Sequence, residues 1–255
     1  MKKKKLLGAI AVVVIGLLAA CGQTDHSTAN GEEKKTIVMG TSADFPPFET
    51  RDNNGEIIGF DIELAKQVTK ELGYELEIKD MNFDGLIGAL QADTVDFVAS
   101  GMSATEKRKQ SVDFSAEYHR SGEMFVTLKD SKIKSMEDLN GAKVGVQLGT
   151  IQEEGAKKLA ESTKIDIKTL NKVPELIQEL KSKRIDAVYL DRTVAEGYVS
   201  ELGLAAFKDE SSGTPGMAMA FPKDSEIVDE FSKVIEEMKK NGELEKLEKK
   251  WLEKE

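Results

Sequence analysis

Three observations predict an α/β fold of two lobes, each a sheet flanked by helices, with a cleft between them. Short apolar runs alternate with amphipathic helical stretches, one helix-and-strand pair occurs twice, and small polar residues follow the apolar runs in both copies. Residues 36–41 form the first apolar run and lead into a loop rich in small residues and proline. Phe60, Leu64, Val68 and Leu72 then recur every fourth residue, which places them on one face of a helix that Gly73 stops. Residues 74–78 alternate as a strand, and residues 83–90 read as a second helix. The pattern Leu86-Ile87-x-x-Leu90 feeds the buried run 95–100, and Leu176-Ile177-x-x-Leu180 feeds 185–190 through the same number of residues. Earlier strands match as well, 37–39 running into Gly40-Thr41 and 144–148 into Gly149-Thr150. An apolar strand at 217–221 and a helix with Val228, Phe231, Ile235 and Met238 on one face close the chain, and both are expected to return to the first lobe.

Composition removes several function classes. The chain of 255 residues carries 36 Lys+Arg against 46 Asp+Glu, a formal charge of −10 that argues against nucleic acid as a partner. One cysteine rules out a disulfide framework or a multi-cysteine zinc site, and the two histidines, His26 and His119, do not make a metal site between them. No cofactor or metal is expected. Motifs of serine hydrolases, zinc proteases, P-loop proteins and dinucleotide enzymes are absent, so no catalytic residue is assigned.

The amino end reads as an address. Four lysines at 2–5 precede an apolar run at 6–20, too short to span a bilayer comfortably and shaped like an export signal. Leu18-Ala19-Ala20-Cys21 resembles the bacterial lipobox, in which the cysteine is lipidated and becomes the mature amino terminus. Residues 21–35 are then a flexible tether holding a folded body outside the cytoplasm, at the membrane.

In open α/β sheets ligands collect beyond the carboxyl ends of the strands, where helix amino termini also point. Here that rule selects residues 41–48, 100–108, 148–152 and 191–193 as the cleft walls. In Ser100-Gly101-Met102-Ser103, a glycine turn brings backbone N–H groups and hydroxyls to one spot, and Ser103 with Glu106 fits a capping box. Arg108 lies close enough to fold back over Ser103 and offers a bidentate seat for a carboxylate. Asp191 follows the buried run of the second lobe, where it can cap the next helix, attract a cation, or do both. A positive socket in one lobe and an acid in the other suit a zwitterion with adjacent carboxylate and ammonium groups, as in an α-amino acid. Phe45 and Phe83 are expected to flank a ligand side chain, with Phe48 in the core.

The segments GTSADFPPFE, GFDIELAKQV, SGMSATEKRKQSVDFS and VGVQLGTIQEE, followed by RIDAVYLD, occur in order over residues 36–255 and resemble family 3 extracellular solute-binding proteins. These are receptors of polar amino-acid ABC importers. The resemblance implies a type II periplasmic-binding-protein-like fold with mixed sheets, lobe 1 being 36–121 plus 216–255 and lobe 2 being 122–215. Crossing strands near 118–123 and 214–217 would form the hinge. It implies a monomer that binds a free amino acid of the arginine, lysine and histidine class, most like arginine. The cleft would close on the ligand and deliver it to a membrane permease with its cytoplasmic ATPase. By the same resemblance Arg108, with Ser103 and Thr150, holds the α-carboxylate, and Asp191 holds the α-ammonium with help from the Gly101 carbonyl. Ser100, Met102 and Gln152 would line the cleft. Ser42 stands where several basic-amino-acid receptors carry an aspartate that meets the distal charge. Alternatives on the same fold are a glutamine- or cystine-specific receptor and a cyclohexadienyl dehydratase-like enzyme.

Overall fold

A computed structural model describes residues 35–210 and 213–253. The chain opens with β1 (Thr36–Thr41), a hairpin of β2 (Thr50–Arg51) and β3 (Ile57–Ile58), helix α1 (Phe60–Glu71) and β4 (Glu75–Asp80). Helix α2 (Leu86–Gln91), β5 (Phe97–Val98) and β6 (Val112–Phe114) follow. Then come β7 (Glu123–Thr127), β8 (Lys143–Gln147), α3 (Ile151–Leu159), β9 (Asp166–Leu170), α4 (Val173–Lys181), β10 (Ala187–Asp191), α5 (Arg192–Leu202) and β11 (Ala205–Asp209). Strand β12 (Ala220–Pro222) and helices α6 (Val228–Asn241) and α7 (Glu243–Trp251) end it.

These strands build two five-stranded sheets, ordered β4-β1-β5-β12-β6 and β9-β8-β10-β7-β11. The orders correspond strand for strand: in each, three parallel strands are followed by two antiparallel ones. The repeat read from Leu86 and Leu176 therefore marks real equivalents, with β5 and β10 at the centre of their sheets. Leu86, Leu90, Leu176 and Leu180 are all fully buried, as period-3.6 residues facing a sheet should be.

The antiparallel neighbour of each central strand comes from a different place in the sequence. In the second sheet β7 precedes β8, whereas in the first β12 arrives from the carboxyl-terminal stretch and pairs with β5 and β6. Phe221 on β12 stacks on Phe97, and Phe231 of α6 packs on both rings at 5.1 Å, so apolar burial holds the returning segment to the first sheet. The chain thus passes twice between lobes, and where it does so His119 bridges Met217 in an antiparallel pair.

Three local expectations are corrected. The stretch 83–90 is a 3-10 turn at Phe83–Gly85 followed by α2, not one continuous helix. Along 217–221 only Ala220 and Phe221 lie in a strand, Met217 making isolated bridges to Ser103 and His119 instead. Ser103 and Glu106 form no capping box. Thr105 Oγ1 accepts the Arg108 N–H at 3.2 Å and Glu106 pairs with Lys109, because this segment is held extended by Met217 and turns only at a short 3-10 helix, Arg108–Gln110. Cys21, the signal, the tether and His26 lie outside the described residues.

Candidate functional site

The β1 loop and the segment after β5 meet the starts of α3 and α5 across a narrow cavity of about 20 Å³. Of the residues expected from sequence, Ser42, Phe45, Phe83, Gly101, Ser103, Arg108, Thr150, Gln152 and Asp191 line it. Ser100 and Met102 do not. The chain turns at Gly101, which separates the neighbouring side chains: Gly101 and Ser103 reach the cavity, while Met102 packs into the core beside Leu86 and Val98. Ser100 Oγ turns back to donate to Glu49 Oε1 at 2.8 Å and to accept the Ser42 N–H at 3.0 Å.

Gly101 holds the turn. Its φ is +53°, and a Cβ there would lie 3.0 Å from the Phe45 ring, so only glycine lets that ring pack onto the backbone. The Gly101 N–H donates to Asp61 Oδ2 at 2.6 Å, and Tyr118 Oη donates to the same oxygen at 2.7 Å. Asp61 itself is placed by Gly59, whose own Cβ would lie 2.2 Å from the Phe48 carbonyl oxygen. That close approach lets the Pro47 and Phe48 carbonyls accept the N–H groups of Phe60 and Asp61 at the start of α1. Phe48 is fully buried, as expected, and Phe45 stacks on it with centroids 5.9 Å apart while keeping an edge on the cavity.

Arg108 folds back as its spacing suggests. Nη1 donates to the Ser103 carbonyl at 2.8 Å, and Nη2 reaches the Gly149 carbonyl of the other lobe at 3.0 Å. Its guanidinium lies 5.3 Å from the centre of the Phe83 ring, so Phe83 faces this cation. Burial lowers the group to about 10, which leaves it charged at neutral pH. Among the described residues no acid forms an ion pair with it.

On the second lobe Asp191 is 1 % exposed and ends β10 as the cap of α5. Oδ1 accepts Thr193 N–H at 2.8 Å and Val194 N–H at 3.4 Å, and Oδ2 accepts Ser121 Oγ at 2.7 Å. Burial nevertheless raises its pKa above the usual carboxylate value. Thr150 caps α3, its hydroxyl donating to the Gln147 carbonyl and accepting Glu153 N–H. Gln152 donates to Glu123 Oε2 at 2.7 Å, and burial together with Asp191 pushes Glu123 up to about 8.

Sequence reasoning missed Glu49, Gln147 and Met217, which also line the cavity, and gave no role to Asp44 and Ile151, which lie within its predicted walls. Glu49 is the most unusual. Its Oε1 is held by Ser100, but its fully buried Oε2 has no hydrogen-bond partner in the protein. Burial and the neighbouring Asp61 push its carboxyl well above the ordinary range, and burial brings Asp61 to about 7. Ser42 Oγ, by contrast, is committed to Asp44 at 2.8 Å. The signal for Glu49 was its place at the end of the PPFE turn, where Phe45 and Glu49 pair as an antiparallel bridge.

Two similar lobes that enclose a charged, half-apolar cavity, with one chain crossing between them twice, define a two-lobed solute receptor. Residues 37–254 match the sequence model of the bacterial extracellular solute-binding proteins, family 3. The chain belongs to that family, and its folded body is therefore extracytoplasmic. It is 46% identical over 252 residues to the arginine-binding extracellular protein ArtP of Bacillus subtilis (strain 168), covering 98% of each chain. The solved structure of an ancestral arginine-binding protein bound to arginine superposes with a TM-score of 0.81 at 44% identity, over 86% of this chain and 99% of that one. An ancestral amino acid-binding protein, AncCDT-1, described as a precursor of cyclohexadienyl dehydratase, matches with a TM-score of 0.80 at 39% identity, over 86% and 96%. Among the described residues no helix is long and apolar enough to cross a membrane.

Proposed function

We propose that this chain is the receptor of an amino-acid ABC importer, held at the membrane by lipid on Cys21, and that it captures arginine and delivers it to a permease. One observation carries the reading. The guanidinium of Arg108, with no acidic partner, and the carboxylate of Asp191 face one cavity from opposite lobes. An ionised carboxylate has about four acceptor sites, so Asp191 keeps one for an ammonium group beyond its three protein donors. The ligand α-carboxylate then lies on Arg108, the Ser103 hydroxyl and the Thr150 N–H. Its α-ammonium lies on Asp191 and the Gly101 carbonyl.

The distal group falls to Glu49. A cation there gives the unpartnered Oε2 its missing donor and favours the ionised form of a carboxyl whose pKa burial otherwise raises. Ser42, whose hydroxyl donates to Asp44, brings no negative charge to that part. Phe45 covers the ligand's methylene stem. The names of the two arginine-binding relatives agree with arginine as the ligand, while other relatives are named for histidine and L-cystine. In this reading 36–121 with 216–255 and 122–215 move as two bodies of a monomer about crossings at 118–123 and 214–217, and the protein is a receptor, not an enzyme.

Calorimetric titration of the purified protein against the common amino acids tests this, alongside mass spectrometry of small molecules released on denaturation. Arginine should bind most tightly. Tight binding of glutamine or cystine without arginine binding overturns the assignment.

A further inference from the structure

We propose that Asp44 is the positioning residue that holds the lobes closed, a first-lobe carboxylate acting as the missing cap of helix α4 in the second lobe. The inference rests on the receptor reading above, and it concerns how long the ligand stays. Each of the three helices α3, α4 and α5 needs an acceptor for its first N–H groups. Helix α3 takes Thr150 and α5 takes Asp191, both from the residue just before the helix. Helix α4 has Lys172 in that place, with no side-chain cap, and proline in its first turn.

The acceptor comes from across the cleft. The Val173 N–H donates to Asp44 Oδ2 at 3.1 Å. Gln147 Nε2 donates to the same oxygen at 3.2 Å and also to the Asn171 carbonyl at 3.0 Å, while Ser42 Oγ fixes Oδ1 from the carboxylate's own lobe. A negative charge at a helix amino terminus is favoured by the helix dipole, and Lys172 adds to that attraction.

Away from the crossings, where Ser121 meets Asp191, His119 meets Thr193 and Arg120 meets Thr214, two further polar links span the cleft, and they are of a different kind. Lys107 meets Glu154 at 2.5 Å, but both side chains are mostly exposed, so solvent and salt screen the pair. Arg108 reaches Gly149 with a group that the ligand also needs. Asp44 is 5 % exposed, and although it borders the cavity and its charge reaches Glu49, its hydrogen bonds go to Ser42, Gln147 and Val173, none of them assigned to the ligand. Opening would strip the Val173 N–H and the Gln147 amide of this acceptor together. Asp44 therefore governs escape of the ligand, since approach to an open cleft does not involve the contact.

Release of radiolabelled arginine is followed after chasing with excess unlabelled arginine, on the purified wild type, Asp44→Ala, Asp44→Asn and Lys172→Asp. If calorimetry finds another amino acid in arginine's place, that amino acid is the label, so a wrong ligand sinks the reading above and leaves this test in force. Asp44→Ala should release about tenfold faster, the effect of a lost cap, with the association rate within about twofold of wild type. Asp44→Asn keeps one acceptor oxygen and should fall between. Lys172→Asp changes only an exposed residue of the second lobe. It gives α4 its own cap and faces Asp44 with a like charge, so it too should release faster. Unchanged release in Lys172→Asp, or an Asp44→Ala effect confined to association, overturns the proposal.

Discussion

In the second lobe Asp191 accepts three hydrogen bonds, two from the helix that follows it and one from Ser121 at the crossing between the lobes, whereas in the first lobe Glu49 accepts one and leaves an oxygen bare. The sheets around them have the same strand order, so the contrast does not come from topology. It comes from where the loops go. The β10 acid continues directly into α5 and finds helix N–H groups waiting, while the β1 loop turns back through Pro46 and Pro47 and buries its acid beneath the cavity against Asp61. The second lobe is thus largely satisfied before any ligand arrives. In the first, neither Arg108 nor Glu49 forms an ion pair among the described residues, so the selective binding energy should reside there.

The largest test of that asymmetry is Arg108→Ala. Truncating one member of a desolvated charge pair costs about 2–5 kcal/mol, so arginine affinity should fall by about a hundredfold or more in calorimetry. The effect should be equal for every amino acid, because the α-carboxylate is common to all. A loss restricted to arginine would mean that Arg108 does not hold that group.

Glu49→Gln should act oppositely, on one class of ligand. Arginine should weaken about tenfold, as for a lost charged hydrogen bond, while a neutral analogue such as citrulline should be nearly unaffected. The pH dependence has a definite sign. Burial raises the pKa of Glu49 in the unliganded protein, and a cationic group that binds its ionised form lowers it again. Arginine binding therefore releases a proton, and affinity rises as pH rises through that raised value and falls on acidification. Calorimetry in buffers of different ionisation enthalpy should detect the released proton in wild type and lose it in Glu49→Gln. Uptake of a proton on binding would contradict the assignment.

How far these features were visible beforehand depends on the range of the forces that place them. The repeat at Leu86 and Leu176 was legible because helix-to-sheet burial writes a local period, and Arg108 because its reach to Ser103 spans five residues. Asp191 was legible as a cap for the same reason. Glu49 and Asp44 were not, since nothing local distinguishes them among 46 acids; their partners Asp61, Ser100, Gln147 and Val173 come from distant segments. The false capping box at Ser103 and Glu106 shows the reverse error, a valid local signal overridden by the bridge to Met217. Met102 was misread because a candidate stretch was treated as one surface, whereas the turn at Gly101 sends its neighbours to different sides.

The smallest effect is expected at Phe83, and it bears on whether the first lobe is prepared in advance. Its ring faces Arg108 across 5.3 Å, so its contribution to binding is indirect, through the orientation of a cation. Such contacts contribute about 0.5–1 kcal/mol at partly exposed sites, which corresponds to roughly a threefold to fivefold weakening in Phe83→Leu. Since the partner is the carboxylate-binding group, arginine and citrulline should weaken alike, in contrast to Glu49→Gln. A ring that instead stacked on the ligand's guanidinium would penalise arginine alone. Calorimetry of the two ligands against this one variant therefore separates an oriented receptor cation from a stacked ligand cation.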